Sequence, residues 1–236
     1  MINDLARVPV FSDIPEDDLK KIAPLFKERV FKKNHILMFE NDPCEEIYIL
    51  RSGMVKIYRI HDGKEVTLGL ALAGDIIGEI EMLSDGEHRV ATIEVLEPIK
   101  AWLLTKKDFL FIVNEYPSVI RKAYKTLANR SRLLNRMIRY MTFCDVRTKT
   151  ANLIMDLYCN FGDENATIIN FKINQSLFAS MVGVTRESIS KTMSDFQSEG
   201  LIDVKQKQIY LLDIERLETL CDDTEEIPEL RRWYDM

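Results

Sequence analysis

The chain has 236 residues, of which 46% are hydrophobic and 30% are charged, and its formal net charge is −6. This length and composition suffice for one sizeable hydrophobic core and a smaller second one. No apolar run approaches the roughly 20 residues of a membrane-spanning helix, and residues 1–7 lack the layout of a signal peptide. Four scattered cysteines without a Cys-x-x-Cys pair are typical of a reduced protein, so we expect a cytoplasmic protein without membrane contact.

The first part of the chain has a β-rich pattern. A helix is predicted over 15–26, where Leu19, Ile22, Ala23 and Phe26 fall on one face. Short β-rich runs follow, divided by turn residues, and this spacing indicates an antiparallel sandwich or barrel. The predicted strands are 47–50, 55–58, 66–72 and 91–95, and the predicted turns are 41–43, 51–53, 62–63, 74–75 and 85–86.

A long helix is predicted over 118–143. Its apolar residues at seven-residue spacing favour a two-stranded coiled coil. The predicted seam consists of Ile120, Leu127, Leu134, Ile138 and Met141, with Tyr124 beside it. Residues 116–144 carry no acidic group, so their seven basic residues are predicted to be unopposed: Arg121, Lys122, Lys125, Arg130, Arg132, Arg136 and Arg139. A basic amphipathic helix on a membrane surface is therefore the alternative.

The helix is predicted to end at a hinge around Cys144 and Asp145. Asp145 is a plausible N-cap for a helix over 146–161, whose apolar face would contain Ala151, Ile154, Met155 and Tyr158.

Residues 175–194 have the pattern of a helix-turn-helix. Asn174 is a good N-cap for the first helix, and Gly183 can adopt the left-handed conformation that ends it. Thr185 is the predicted N-cap of a second helix that stops at Gly200. The small Ala179 allows a close crossing, and the angle between the helices would be filled by Ile189, Phe178, Val182 and Val184. The alternative is an ordinary helical hairpin with a solvated polar face.

The exposed start of the second helix carries the side-chain types that reach base edges and phosphates in a major groove. The predicted DNA contacts are Thr185, Arg186, Glu187, Ser190 and Lys191, with Lys205 and Lys207 just after the helix. Residues 145–221 contain 8 basic and 11 acidic groups. We therefore expect a local basic footprint, modest nonspecific DNA affinity and a shallow salt dependence.

The sequence from Val184 to Lys191 (VTRESISK), followed by FQSEGLI at 196–202, resembles the recognition helix of the CRP/FNR family of bacterial transcription regulators. Upstream, GDIIGE at 74–79 and RVA at 89–91 resemble that family's cyclic-nucleotide-binding jelly roll. The resemblance implies an α+β chain with an antiparallel β jelly roll (1–115), a dimerisation helix and hinge (116–144), a winged helix-turn-helix (145–221) and an acidic tail (222–236). It also favours dimerisation over membrane contact, because a palindromic operator needs a two-fold dimer.

The resemblance further implies an effector site. In the family, a short helix after the glycine turns its N–H groups towards a phosphate, the arginine pairs with that phosphate, and the glutamate accepts from a ribose hydroxyl. The corresponding candidates are Gly78, Glu79, Ile80, Arg89, Val90, Arg130, Leu134 and Asn135, for a cyclic nucleotide or another small anionic effector.

Three departures from the family pattern bear on that site. Val90 replaces a serine, Glu81 adds a negative charge, and Leu134 with Asn135 replace the threonine and serine that hold adenine. The alternative is a Glu–Arg pair that only ties the roll together.

The order Glu187, Ser190, Lys191 resembles the Glu-x-x-Ser-Arg element of the FNR branch, with lysine in place of arginine. It implies an inverted repeat with TTGA-like half-sites, read by a homodimer that also contacts RNA polymerase. Two other functions stay open: a cyclic-nucleotide-binding module without DNA contact, and a redox-sensing regulator that uses Cys144. No catalytic arrangement stands out, and His35, His61 and His88 are isolated, so neither an enzyme nor a metal site is expected.

Overall fold

The computed structural model describes residues 2–84, 87–163, 166–172, 174–221 and 231–233. By its contacts, the chain forms two compact units, residues 1–60 with 67–128 and residues 61–66 with 129–236. The four domain ranges inferred from the sequence stay a prediction. The predicted turn at 85–86 and most of the acidic tail lie outside the described residues. Within the described part, none of the helices has the length and hydropathy needed to cross a membrane.

The N-terminal segment of the first unit is helical. Helices α1 (Ile2–Ala6) and α2 (Glu16–Ile22) are accompanied by 3-10 turns at Pro9–Phe11 and Ala23–Leu25. The helix predicted over 15–26 is confirmed, but it ends at Ile22. Pro24 explains the early end, because it has no N–H to continue the helix and its ring clashes with the preceding turn. The predicted apolar face is buried throughout.

Six strands form the antiparallel β roll that the sequence predicts. They are β1 (Lys27–Phe31), β2 (Ile36–Met38), β3 (Glu46–His61), β4 (Lys64–Leu72), β5 (Ile76–Ile77) and β6 (Thr92–Thr105). The sheet order is β1-β6-β3-β4, with β2 paired to β6 and β5 paired to β3. The β3–β4 hairpin turns at the predicted Asp62–Gly63 pair, where both residues have the positive φ of a type I′ turn.

The turn predicted at 51–53 is wrong, because β3 continues through it. Gly53 has a φ of +79°, and the pairing of β3 with β6 shifts register on both sides of it. A Cβ atom at this position would lie only 2.3 Å from the carbonyl oxygen of Pro98. Gly53 therefore forms a β-bulge, which bends the strand without ending it.

Two hydrophobic clusters stabilise the first unit. One fills the inside of the roll and includes Leu50, Val55 and Val95. The other joins Trp102 on β6 to the N-terminal helices, to α4 (Lys106–Glu115) and to the beginning of α5 (Pro117–Phe143). Val119 and Ala123 of α5 belong to this second cluster, so the long helix begins as part of the roll's packing.

The second unit is built on α6 (Val146–Phe161). It continues with β7 (Gly162–Asp163), β8 (Ile168–Ile169), α7 (Gln175–Val182), α8 (Arg186–Ser198), β9 (Ile202–Lys205), β10 (Gln208–Leu211) and α9 (Ile214–Leu220). The sheet order is β7-β8-β10-β9. The predicted break between α5 and α6 is confirmed, and the Asp145 carboxylate caps α6 by accepting from the Thr148 N–H at 2.7 Å.

Candidate DNA interface and effector site

The first helix of the helix-turn-helix, α7, begins and ends as the sequence predicts. The Asn174 side chain accepts a hydrogen bond from the Leu177 N–H at 2.8 Å, which caps the helix. Gly183 has a φ of +72°, and its N–H donates to the carbonyl of Ala179. Because this left-handed conformation costs glycine nothing, the chain leaves α7 sharply and can begin α8 three residues later.

The turn between α7 and α8 is packed against the end of α5. A Cβ atom at Gly183 would lie 2.6 Å from the Met141 Cε atom. Gly183 is therefore favoured by its left-handed backbone conformation, and a Cβ atom there would also require the end of the Met141 side chain to shift. Met141 was predicted in the dimer seam, and the structure places its half-buried side chain beside the helix-turn-helix.

The second helix, α8, has one buried and one exposed face. Ile189 is fully buried with Phe178 and Val182, as predicted, and Met193 and Phe196 extend the buried face. Arg186, Glu187 and Lys191 are exposed, and Ser190 is half-buried. Glu187, Ser190 and Lys191 stand at i, i+3 and i+4, so they share one face of the helix. An α-helix fits into the major groove of DNA. Because the opposite face of α8 is packed in the core, its polar face is the one that can enter.

The exposed start of α8 carries a carboxylate, Glu187, that can accept hydrogen bonds. The Thr185 hydroxyl oxygen accepts from the Ser188 N–H at 3.2 Å and caps the helix. A hydrogen bond from its own backbone N–H, and a second one from the Thr185 hydroxyl, lower the pKa of Glu187. Glu187 is therefore an ionised acceptor at neutral pH, which suits the amino group of cytosine.

The wing hairpin carries the two remaining predicted DNA contacts. Lys205 ends β9 and Lys207 lies in the two-residue turn before β10, and both side chains are exposed. The Lys205 Nζ atom lies 2.5 Å from the Asp203 carboxylate. Lys207 and Gln206 both have positive φ values, so the turn is of type I′. The turn therefore leaves Lys207 at the tip of the wing, away from that ion pair.

Two of the predicted effector residues of the first unit, Gly78 and Arg89, are in contact. Gly78 has a φ of +84° and precedes the short helix α3 (Glu79–Leu83). A Cβ atom at Gly78 would lie 2.6 Å from the Arg89 Nη1 atom, so a side chain at this position would displace the guanidinium. Glu79 is buried beside the same turn, whereas Val90 is exposed and Ile80 half-buried.

The Arg89 guanidinium is already held by the chain. Its Nη1 atom donates to the Gly78 carbonyl at 2.9 Å, and its Nη2 atom donates to the Glu46 carbonyl. The Glu81 Oε2 atom lies 3.7 Å from Nη1, and the Glu81 Oε1 atom accepts from the Val90 N–H at 3.1 Å. Glu81, one of the three departures from the family pattern, therefore contacts Arg89 within the folded chain.

The other predicted effector residues, Arg130, Leu134 and Asn135, lie on the part of α5 that groups with the second unit. Leu134 and Asn135 are exposed and Arg130 is half-buried. Their part in an effector site stays a prediction.

An apolar stripe lies exposed along α5. It consists of most of the predicted dimer residues and Tyr124: Ile120, Tyr124, Leu127, Leu134 and Ile138. With Ser131 these side chains follow the a and d positions of successive heptads, which is the pattern of a coiled-coil seam. That a second copy of α5 covers the stripe stays a prediction.

The basic residues of α5 are not all unopposed, and that prediction is wrong for at least three of them. Arg121 and Lys122 lie 3.1 Å and 2.7 Å from the Asp13 carboxylate, and Arg136 lies 2.8 Å from Asp156. The acidic partners are distant in sequence, so the charge pattern of the helix alone could not reveal them.

A buried ionic cluster in the second unit was not predicted. The Asp156 Oδ1 atom of α6 accepts from Arg136 at 2.8 Å and from Arg231 at 2.9 Å. Arg231 also donates to the Asn152 side chain at 3.0 Å, and its carbonyl accepts from Asn160 at 2.8 Å. The signal in the sequence was the spacing of Asn152, Asp156 and Asn160, three polar residues four apart in the otherwise mainly apolar stretch 151–161 of the helix.

Replacing Arg231 with alanine is expected to lower the free energy of unfolding by about 2–3 kcal/mol, because a buried carboxylate loses one of its two charged partners. The measurement is urea unfolding followed by circular dichroism. Arg232, which is exposed, supplies the matched control, and Arg232→Ala should stay within about 0.5 kcal/mol of the wild type. Equal losses for the two variants would show that the Asp156 cluster does not hold the C-terminal segment.

The cysteines are free thiols. Burial raises the pKa of Cys44 and raises that of Cys221 to about 12, so both are poor nucleophiles. Cys144 is half-buried. Its redox role stays a prediction. In the part of the chain that the structure describes, no three His, Cys, Asp or Glu side chains are grouped to hold a metal ion.

Models of known protein families match parts of both units. A model of the cyclic nucleotide-binding domain matches residues 28–116, and a model of the Crp-like helix-turn-helix domain matches residues 148–220. The chain belongs to the CRP/FNR family of transcription regulators. The resemblance found in the sequence is thereby confirmed, together with the α+β fold of a β roll, a long helix and a helix-turn-helix.

The curated members of the family align along most of their length. A CRP-like cAMP-activated global transcriptional regulator of Mycobacterium tuberculosis is 26% identical over 216 residues, covering 90% of this chain and 96% of the relative. Electron transport regulator A of Shewanella oneidensis is 26% identical over 213 residues, covering 87% and 80%.

Solved structures of the family share the fold. FixK2 from Bradyrhizobium japonicum superposes with a TM-score of 0.73 at 19% identity, covering 83% of this chain and 96% of FixK2. A variant of CooA from Carboxydothermus hydrogenoformans gives 0.74 at 24% identity, covering 86% and 90%. At these identities the likeness concerns the fold alone.

Proposed function

We propose that this chain is a homodimeric, sequence-specific DNA-binding regulator that reads an inverted repeat and responds to an effector bound in the β roll. The observation that carries the proposal is the exposed face of α8, where Glu187, Ser190 and Lys191 stand together on a helix whose other face is buried. A cyclic nucleotide-binding module without DNA contact would have no use for this face.

Each side chain of that face has a partner in the major groove. Glu187 accepts from the cytosine N4 amino group, and Lys191 donates to guanine O6 and N7. Ser190 is short enough to lie beside a thymine methyl group. Arg186, in the first turn of α8, would bind a phosphate or a flanking guanine, and Thr185, the N-cap, would bind a phosphate. TTGA-like half-sites fit this order of side chains.

The dimer follows from the stripe on α5. Two copies of the stripe would bury the exposed Leu127, Leu134 and Ile138 in a two-stranded coiled coil. A two-fold axis along the helices repeats the recognition helix, so the half-sites should be inverted and about one helical turn apart. RNA polymerase is the proposed protein partner, since the family regulates transcription.

A gel-shift titration tests this function. The duplexes contain two inverted TTGA-type half-sites, one half-site, or a scrambled sequence of equal length. We expect a single complex with two chains per duplex, and a loss of at least about 100-fold in affinity when one half-site is scrambled, because half of the specific contacts disappear. Equal affinity for all three duplexes would leave only nonspecific binding, and no complex at roughly 100 μM protein, the weak limit of nonspecific affinity, would reject DNA binding.

A further inference from the structure

The β roll contains a small anion site that is filled by the chain itself. Two neighbouring residues supply hydrogen-bond donors to it: Arg89 through its guanidinium and Val90 through its backbone N–H. The Glu81 carboxylate contacts both of them, with Oε1 accepting from the Val90 N–H at 3.1 Å and Oε2 lying 3.7 Å from Arg89 Nη1. A guanidinium beside a free backbone N–H is the usual donor set of an oxyanion, and here one side chain occupies it.

The Arg89 and Glu81 side chains are buried, so a further negative charge beside them would be costly. The side chains of Arg89 and Glu81 are only 3% and 9% exposed. Glu79, two residues before Glu81, is buried as well. Two buried carboxylates therefore lie within the first turn of α3. A phosphate at this place would add a third buried negative charge or would have to expel the Glu81 side chain, and both carry a desolvation cost.

The backbone positions Glu81 for this contact. Gly78, in its left-handed conformation, starts α3 directly after β5, and Glu81 lies in the first turn of that helix. Arg89 donates a hydrogen bond to the carbonyl of Gly78, the residue before this helix. The carboxylate thus bridges α3 and the Arg89–Val90 segment, which are the two sides of the anion site.

We propose that Glu81 is the specificity-determining residue of the β roll: its carboxylate takes the place of a phosphate at Arg89 and Val90 and closes the site to phosphate-bearing effectors. The regulatory part of this inference rests on the proposed function. An effector that acts through the roll of this protein therefore carries no phosphate at that position, and removal of Glu81 converts the filled site into an open anion site.

Calorimetric titration of the full-length protein tests the proposal, with cyclic AMP, cyclic GMP and inorganic phosphate as separate probes. The wild type is expected to show no saturation with any probe up to ~1 mM, a limit that corresponds to very weak binding. Glu81→Ala should bind at least one probe about 100-fold more tightly or better, the scale expected when one buried like charge is removed. Glu81→Gln, which keeps the carbonyl acceptor for Val90 but not the charge, should gain a smaller part.

Two controls separate this effect from a general loss of negative charge. Glu87→Ala removes an exposed glutamate and should leave binding unchanged. The double variant Glu81→Ala with Arg89→Leu should lose whatever Glu81→Ala gains, because the gained site requires the guanidinium.

The proposal is overturned if the wild type binds any of the three probes at micromolar concentration. It is also overturned if Glu81→Ala and Glu81→Gln, both folded by circular dichroism, bind none of the probes. The same proteins are titrated with the inverted-repeat duplex. Absence of DNA binding in all of them, beside a gain of anion binding in Glu81→Ala, would reject the proposed function and leave the role of Glu81 intact.

Discussion

Leu127→Glu should convert the protein from a dimer to a monomer at micromolar concentration and lower its affinity for an inverted repeat by at least about 100-fold. Leu127 lies near the middle of the exposed stripe on α5, three residues after Tyr124 and seven before Leu134. In a two-stranded coiled coil the two copies of Leu127 face each other across the axis, so the substitution places two carboxylates in an apolar seam. Burial of such charges costs several kcal/mol unless the helices separate or the groups become neutral.

The loss of DNA binding follows from the loss of the dimer. A monomer presents one recognition helix and contacts one half-site, so it forfeits about half of the specific contacts. Sedimentation velocity reports the oligomeric state, and gel shift reports the affinity. The matched control is Phe111→Glu, which puts the same charge on an exposed aromatic residue of α4 and should remain dimeric. A Leu127→Glu protein that sediments as a dimer would place the seam elsewhere.

Glu187→Ala should relax the specificity for one base pair of each half-site. The Glu187 carboxylate is the proposed acceptor on the exposed face of α8. Like other glutamates it is ionised at neutral pH, and hydrogen bonds lower its pKa further. Its removal should cost roughly 1–3 kcal/mol at the C·G pair and little at other positions, because a lost base contact acts locally.

Competition gel shifts with all four bases at that position measure the effect. Glu218→Ala, an exposed glutamate on α9, removes the same charge from the same unit and should leave the base preference unchanged. If the two variants weaken DNA binding equally at every sequence, Glu187 acts only through its charge.

The elements of the helix-turn-helix could be predicted closely because local rules determine them. Asn174 and Thr185 cap their helices, and Gly183 ends α7, as their side chains and backbone freedom require. The prediction of a turn at 51–53 was wrong because the local rule at Gly53 permits two structures. A glycine with positive φ serves a turn and a bulge equally well, and only the partner strand β6 decides between them.

The contacts that sequence analysis missed join residues far apart in the chain. Asp13 lies more than a hundred residues before Arg121, and Arg231 lies 75 residues after Asp156. Helical periodicity describes neighbours three or four residues apart, so it cannot supply such partners. The extra negative charge of Glu81 was visible in the sequence, but its contact with Arg89 and Val90 depends on the packing of α3 against the roll.

We propose that the exposed face of α8 recognises a palindromic DNA site. Selection from a random DNA pool, with wild type and Glu187→Ala in parallel, tests this most directly. The expected consensus for the wild type is an inverted repeat of TTGA-like half-sites about one helical turn apart, and Glu187→Ala should select the same repeat with the C·G position degenerate. A consensus without two-fold symmetry, or one that Glu187→Ala leaves unchanged, would contradict the account.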